Sequence, residues 1–198
     1  MRQPRILTFS GSARAGSLNA KLAALVGKHL ALADAEVTHI SLKDYPMPIY
    51  DGDLEAQDGV PQNARKLKRL MQESDGVFIA CPEYNAGVTP LLKNTIDWVS
   101  RVKDPGEKPM AAFRSPVFAI GAASPGAFGG MRGLIGMRTI LEVGLGAMVL
   151  PEMAVVARAA QGFDSKGDLT DDRAAGQLET LVKSLLRQTR FQMSQKAS

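Results

Sequence analysis

A single cysteine in 198 residues excludes an internal disulfide. The two histidines, at 29 and 39, have no cysteine or carboxylate pattern beside them and make no metal-ligand set. No apolar run approaches the ~20 residues that cross a bilayer, and no signal-peptide pattern opens the chain. Aromatics make up 6% and are not interleaved with basic residues, so stacking on nucleic acid has no support despite a net charge of +4. Two nucleotide signatures are also missing. No Gly-Lys-Ser/Thr follows Gly16, as a Walker loop requires, and Gly27-Lys28-His29 comes too late, inside a helix. Gly11 and Gly16 alone do not make the three-glycine dinucleotide fingerprint. Neither a nucleophile–base–orienter set nor a pair of carboxylates can be assembled, so an enzyme of this sequence would take its hard chemistry from a cofactor. Hydrophobic residues at 45% match an ordinary globular domain, and the lone thiol fits a reducing cytoplasm.

What is present is a regular alternation. Residues 5–9, 36–42, 77–81, 116–122 and 147–150 read as short strands. Between them, residues 17–33 place Leu18, Leu22, Leu25, Val26 and Leu32 at helical spacing, and further helices are predicted from Pro61, over 89–101, and over a glycine-broken 130–143. A closing helix over 170–192 turns Leu178, Leu181, Leu185 and Leu186 inward, and residues 43–59, rich in Pro, Asp and Gly, read as a loop. Such alternation predicts one α/β domain over residues 1–198, a doubly wound five-stranded parallel sheet covered on both faces. Right-handed crossovers and a switch point beside the first strand give the order 2-1-3-4-5. The basic cluster Arg65-Lys66-Lys68-Arg69 lies away from the stripe Val60, Ala64, Leu67, Leu70/Met71 and reads as a solvated face. The helix containing Leu92, Ile96, Trp98 and Val99 is apolar on more than one side, which predicts two coverings. Either a second copy or residues 47–53 could cover Trp98.

Three loops carry the chemistry. Ser10-Gly11-Ser12-Ala13-Arg14-Ala15-Gly16-Ser17-Leu18-Asn19 joins the first strand to the first helix, with hydroxyls, one guanidinium and one amide. A helix start adds unpaired N–H groups and partial positive charge, so the segment suits a terminal monophosphate gripped by side chains. The competing reading is an ordinary strand–helix turn with Ser17 as N-cap. Cys81-Pro82-Glu83-Tyr84-Asn85-Ala86-Gly87-Val88-Thr89-Pro90 forms a rigid, non-regular loop, with Thr89 as N-cap and Pro90 at the first helical position. It could wrap the polar edge of a flat heterocycle with Tyr84 over a ring face, or Tyr84 could pack locally. Cys81 reads as a packing residue rather than a nucleophile. Ala123-Ser124-Pro125-Gly126-Ala127-Phe128-Gly129-Gly130 is a third loop on the same sheet edge, where backbone could approach a ligand or serve only as a glycine-rich connection.

Together these residues resemble the NAD(P)H-dependent FMN reductase family of flavodoxin-like proteins, especially its quinone and chromate reductase branch. The resemblance rests on Gly11-Ser12-x-Arg14-x-Gly16-Ser17-x-Asn19, on Pro82-Glu83-Tyr84-Asn85, and on Leu92-Lys93-Asn94-Thr95-Ile96-Asp97-Trp98-Val99-Ser100-Arg101. Met47-Pro48-Ile49-Tyr50-Asp51 and Ser124-x-Gly126-x-x-Gly129-Gly130 support it, and Gly87-Val88-Thr89-Pro90 and an insertion-like 105–113 depart from it. It implies a flavodoxin-like fold and bound FMN, with the phosphate held by Ser12, Arg14, Ser17, Leu18 and Asn19. Pro82, Glu83, Tyr84, Asn85 and Gly87 then clasp the isoalloxazine rim, and Ser124 adds a flavin contact. The implied reaction passes hydride from NADPH or NADH to FMN, then electrons to small acceptors (quinones, free flavin, azo compounds, chromate) by a ping-pong scheme with no catalytic side chain. No nucleic acid or membrane partner is implied, and the expected assembly is a homodimer or homotetramer. Two alternatives stand beside it. A flavodoxin-like electron carrier fits the basic surface poorly, and a Rossmann NAD-binding domain wants an acid after the second strand, where Asp44 is only loosely placed.

Overall fold

Strands covered on both faces are buried at every position, not alternately, and three segments meet that condition. Residues 6–10, 76–80 and 117–123 are buried throughout. They form the centre of the sheet in a computed structural model that describes residues 2–197. In chain order the elements are β1 (Arg5–Ser10), α1 (Leu18–Leu32), β2 (Glu36–Ser41), α2 (Gly52–Asp58), α3 (Gln62–Gln72) and β3 (Gly76–Ala80). A short hairpin follows, β4 (Glu83–Tyr84) and β5 (Gly87–Val88), then α4 (Pro90–Arg101), α5 (Ala111–Arg114) and β6 (Val117–Ala123). The chain closes with α6 (Met131–Arg138), β7 (Met148–Val156) and α7 (Asp172–Ala197).

The main sheet has the order β2-β1-β3-β6-β7 with every pairing parallel, which is the expected 2-1-3-4-5 arrangement. One face packs Leu7, Phe9, Val77, Ile79 and Ile120 against Leu67, Leu92, Ile96 and Leu134 of α3, α4 and α6. The other packs Ile6, Phe78 and Ala119 against Leu22, Val26, Leu181 and Leu185 of α1 and α7. Because all five strands run the same way, the loops after β1, β3 and β6 leave from one edge. The order in which successive strands are added reverses between β1 and β3, and the crevice forms there.

Several elements differ from the sequence expectation for identifiable reasons. Residues 43–59 are not all loop: a 3₁₀ turn, Leu42–Asp44, precedes α2, whose N-cap Asp51 accepts the N–H groups of Asp53 and Leu54 at 2.7 and 3.3 Å. Helix α2 buries no residue, so it carries no apolar stripe to read. Strand β7 continues to Val156 rather than stopping at 150. Leu150, Pro151 and Glu152 bulge out opposite Ala119, a proline tolerated because β7 is an edge strand. Leu32, the last residue of α1, is 76% exposed rather than inward.

Trp98 is covered by its own chain. Its Nε1 donates to the Pro48 carbonyl at 2.7 Å, and its ring meets Tyr50 edge-on at 5.0 Å. Asn94 fixes the same segment, donating to Pro48 O at 2.8 Å and accepting the Tyr50 N–H at 2.7 Å. Of the two coverings expected for α4, the second is therefore residues 47–53, and Trp98 gives no evidence for a second copy. Lys68 also departs from the solvated face predicted for its cluster. It is buried on α3, where its ammonium donates to Asp104 at 2.7 Å and to Glu107. Burial alone would lower the Lys68 pKa, but the two carboxylates raise it above its ordinary value. The insertion-like segment is thereby pinned to α3.

Candidate functional site

The first loop folds as a helix start with its donors exposed. Ser17 caps α1, its Oγ accepting the Ala20 N–H at 3.3 Å, so the N-cap reading holds. The N–H groups of Leu18 and Asn19 make no intrahelical bond, because their acceptors would lie before the helix begins. Ser12 Oγ accepts the Arg14 N–H at 3.3 Å, and Ser124 Oγ accepts the Gly126 N–H at 3.2 Å. A hydroxyl that accepts one bond keeps its own proton to donate. Three serines are thus oriented by the backbone and still hold a donor for a ligand. Arg14 is exposed and, among the described residues, pairs with no carboxylate.

The second loop is a tight hairpin rather than an irregular turn. Asn85 and Ala86 both have positive φ, 50° and 64°, the two-residue geometry that matches strand twist. Glu83 fastens it to α6: its carboxylate accepts Arg132 Nη2 at 2.6 Å and the Gly133 N–H at 2.9 Å. Burial would push the Glu83 carboxyl up, but the Gly133 N–H and the Arg132 guanidinium outweigh it and hold the group below the usual carboxylate range. Glu83 is therefore an anion at neutral pH and no proton donor. A Cβ on Gly133 would lie 3.2 Å from Glu83 Cβ, which explains a glycine in that helix. Thr89 sits at the N-cap position of α4 ahead of Pro90, but its hydroxyl does not cap. It donates instead to the Gly11 carbonyl at 2.8 Å, tying the second loop to the first.

These loops line an open crevice of about 90 Å³. Ser12, Arg14, Ser17, Leu18 and Asn19 line one wall, Pro82, Glu83 and Tyr84 another, and Ser124 the third. Nine of the eleven residues singled out from the sequence thus meet at one place. Asn85 and Gly87 do not line it; they belong to the turn and return strand of the hairpin. Ala123 and Pro125 of the third loop line the crevice as well, though as small apolar residues with no chemical signature they were not predicted as site residues. Arg132 and Gly133 were likewise missed, although a partly buried Glu83 next to an exposed loop required partners. Asn19 lines the wall, yet its carboxamide is bonded to Ala123, donating at 2.8 Å and accepting at 2.9 Å. Cys81 is fully buried, and burial pushes its thiol well above the ordinary value, consistent with a packing role.

The topology and the crevice at its switch point are those of a flavodoxin-like protein. Comparison with known proteins narrows this class. The signature of the NADPH-dependent FMN reductases spans residues 4–162, and the chain belongs to that family of oxidoreductases. It is 40% identical over 147 residues to a quinone reductase of Escherichia coli, covering 74% of this chain and 73% of that protein. It is 32% identical over 183 residues to an NAD(P)H-dependent FMN reductase of Pseudomonas aeruginosa, covering 91% and 92%. Among solved structures, the flavoenzyme NAD(P)H:(acceptor) oxidoreductase FerB of Paracoccus denitrificans superposes with a TM-score of 0.75 at 25% identity, covering 96% of this chain and 98% of that one.

Proposed function

We propose that the crevice holds FMN and that the protein oxidises NAD(P)H through it, delivering the electrons to quinones or similar small acceptors. The observation that carries this reading is the convergence of donors. Three oriented hydroxyls, the unpaired Arg14 and the first N–H groups of α1 share one cavity whose single lining carboxylate, Glu83, is already neutralised by Arg132. That set fits a phosphate dianion and offers it no repulsion. Ser12, Arg14 and Ser17, with the N–H groups of Leu18 and Asn19, would hold the phosphate. Pro82, Glu83 and Tyr84, with Asn85 and Gly87 shaping the hairpin behind them and Ser124 opposite, would hold the isoalloxazine rim.

FMN held there would supply the redox chemistry, that of a two-electron carrier between a nicotinamide and a quinone, free flavin, azo compound or chromate. The chain's own contribution is placement and exclusion. Tyr84, 53% exposed, stands where a flat ring can rest, and no side chain is needed as an essential acid or base. The same reading places the enzyme in the cytoplasm as a homodimer or homotetramer. Phe128, Ile135 and Val143 support self-association: they are 68%, 57% and 82% exposed, in the turn before α6, on α6 and in the π-helical segment that follows it.

Steady-state oxidation of NADPH and NADH against a simple benzoquinone tests the reading. Parallel double-reciprocal lines are expected. An FMN-containing protein that oxidises neither nucleotide would instead be an electron carrier.

A further inference from the structure

We propose that the Asn19 side chain is a positioning group that fixes the third wall of the crevice, and that its carboxamide, unlike its backbone N–H, does not act as a phosphate ligand. The inference rests on the FMN reading and assigns one residue of that site a different task. Strand β3 ends at Ala80, opposite Gly121 of β6. The next bond, from the Cys81 N–H to the Gly121 carbonyl at 2.7 Å, is the last before the chain turns away into the hairpin. Strand β6 continues to Ala123. Along a parallel strand, alternate residues present both backbone groups to the same neighbour. Ala123 therefore faces the same side as Gly121, where strand β3 is no longer present.

Asn19 fills that place. Its carboxamide donates to the Ala123 carbonyl at 2.8 Å and accepts the Ala123 N–H at 2.9 Å, as a strand residue would. Asn19 is 5% exposed and Ala123 4%, so water cannot substitute for either bond. Ser124 follows directly, and its own N–H is held from the other side by the Val156 carbonyl at 3.0 Å. The start of α1, which would hold the phosphate, and the Ser124 wall are thus set at a fixed separation by one side chain.

A phosphate ligand and a wall-positioning residue differ in what they do to a flavin without phosphate. Dissociation constants for FMN and riboflavin are measured by flavin fluorescence on the wild type, Arg14→Ala, Asn19→Ala and Asn19→Asp. Arg14→Ala is expected to weaken FMN roughly ten- to hundred-fold and leave riboflavin unchanged. Asn19→Ala is expected to weaken FMN and riboflavin by the same factor, roughly tenfold or more, and Asn19→Asp, whose added charge would repel the phosphate as well, is read with riboflavin alone. Asn19→Asp keeps the size and the acceptor, so it serves if the alanine variant does not fold. A loss confined to FMN in Asn19→Ala makes the carboxamide a phosphate ligand and overturns the proposal, as does no loss with either flavin. A wild type that binds neither flavin refutes the FMN reading itself, a result distinct from both. Hydrogen exchange on the flavin-free protein tests the wall itself, independently of flavin binding. Faster exchange over residues 123–130 in Asn19→Asp supports the proposal, and unchanged exchange overturns it.

Discussion

Gly11 shows how closely the site depends on single residues. A Cβ there would lie 2.8 Å from Leu92 Cδ2 and 3.1 Å from Pro82 Cδ, so the first and second loops touch only because position 11 lacks a side chain. Gly11→Ala is expected to cost about 1–3 kcal/mol in denaturant unfolding and to weaken FMN binding, since Leu92 and Pro82 must both move. Unchanged stability would show that the loops are looser than the packing indicates. Residue-level chemistry was legible where it was dense: Ser12, Arg14 and Ser17 sit within six positions and could be read as an anion cup directly. The task of Asn19 was not, because nothing local says that Ala123, more than a hundred residues on, ends beside it. The same holds for Glu83, whose partners Arg132 and Gly133 come from another helix.

Elements with a strong pattern were legible, and those without one were not. The three central strands and the inward leucines of α7 follow from apolar runs and helical spacing. Helix α2 has no buried face, and the second half of β7 is masked by Pro151 and Glu152. Lys68 shows the opposite failure, a charge that is buried because two acids from a later loop close over it. Lys68→Met removes both ion pairs while keeping the stem's length. The expected result is faster proteolysis within residues 103–110, with NAD(P)H oxidation unchanged, because the segment attaches to α3 rather than to the crevice. A variant as protease-resistant as the wild type would contradict that role.

Across the whole molecule, carboxylates that gain partners on folding set the acid limit of stability. The Arg132 guanidinium and the Gly133 N–H hold Glu83 below its ordinary value against burial. The Lys68 ammonium holds Asp104 and Glu107 low, and the Lys28 ammonium does the same for Asp168. A carboxyl with a lower pKa in the folded state contributes stability that is fully present above its unfolded value, near 4, and is lost as pH falls through the folded one. The melting temperature should therefore depend little on these groups from about pH 5 to 8 and fall below about pH 4. A loss of their contribution on raising the pH would contradict the assignment. Assembly is set at this scale as well. If the exposed apolar residues around α6 join two copies, Val143→Lys should lower the mass found by light scattering; an unchanged oligomer would place the interface elsewhere.

The central claim is that the crevice between the Ser12–Ser17 loop and the Tyr84 hairpin is a flavin site open to a nicotinamide. FMN-loaded protein mixed anaerobically with NADPH or NADH, in the absence of any acceptor, tests it most directly. The account predicts that the oxidised flavin band bleaches at once and returns when a quinone is added. Protein that holds no FMN, or whose flavin band stays unchanged with both nucleotides, would contradict it.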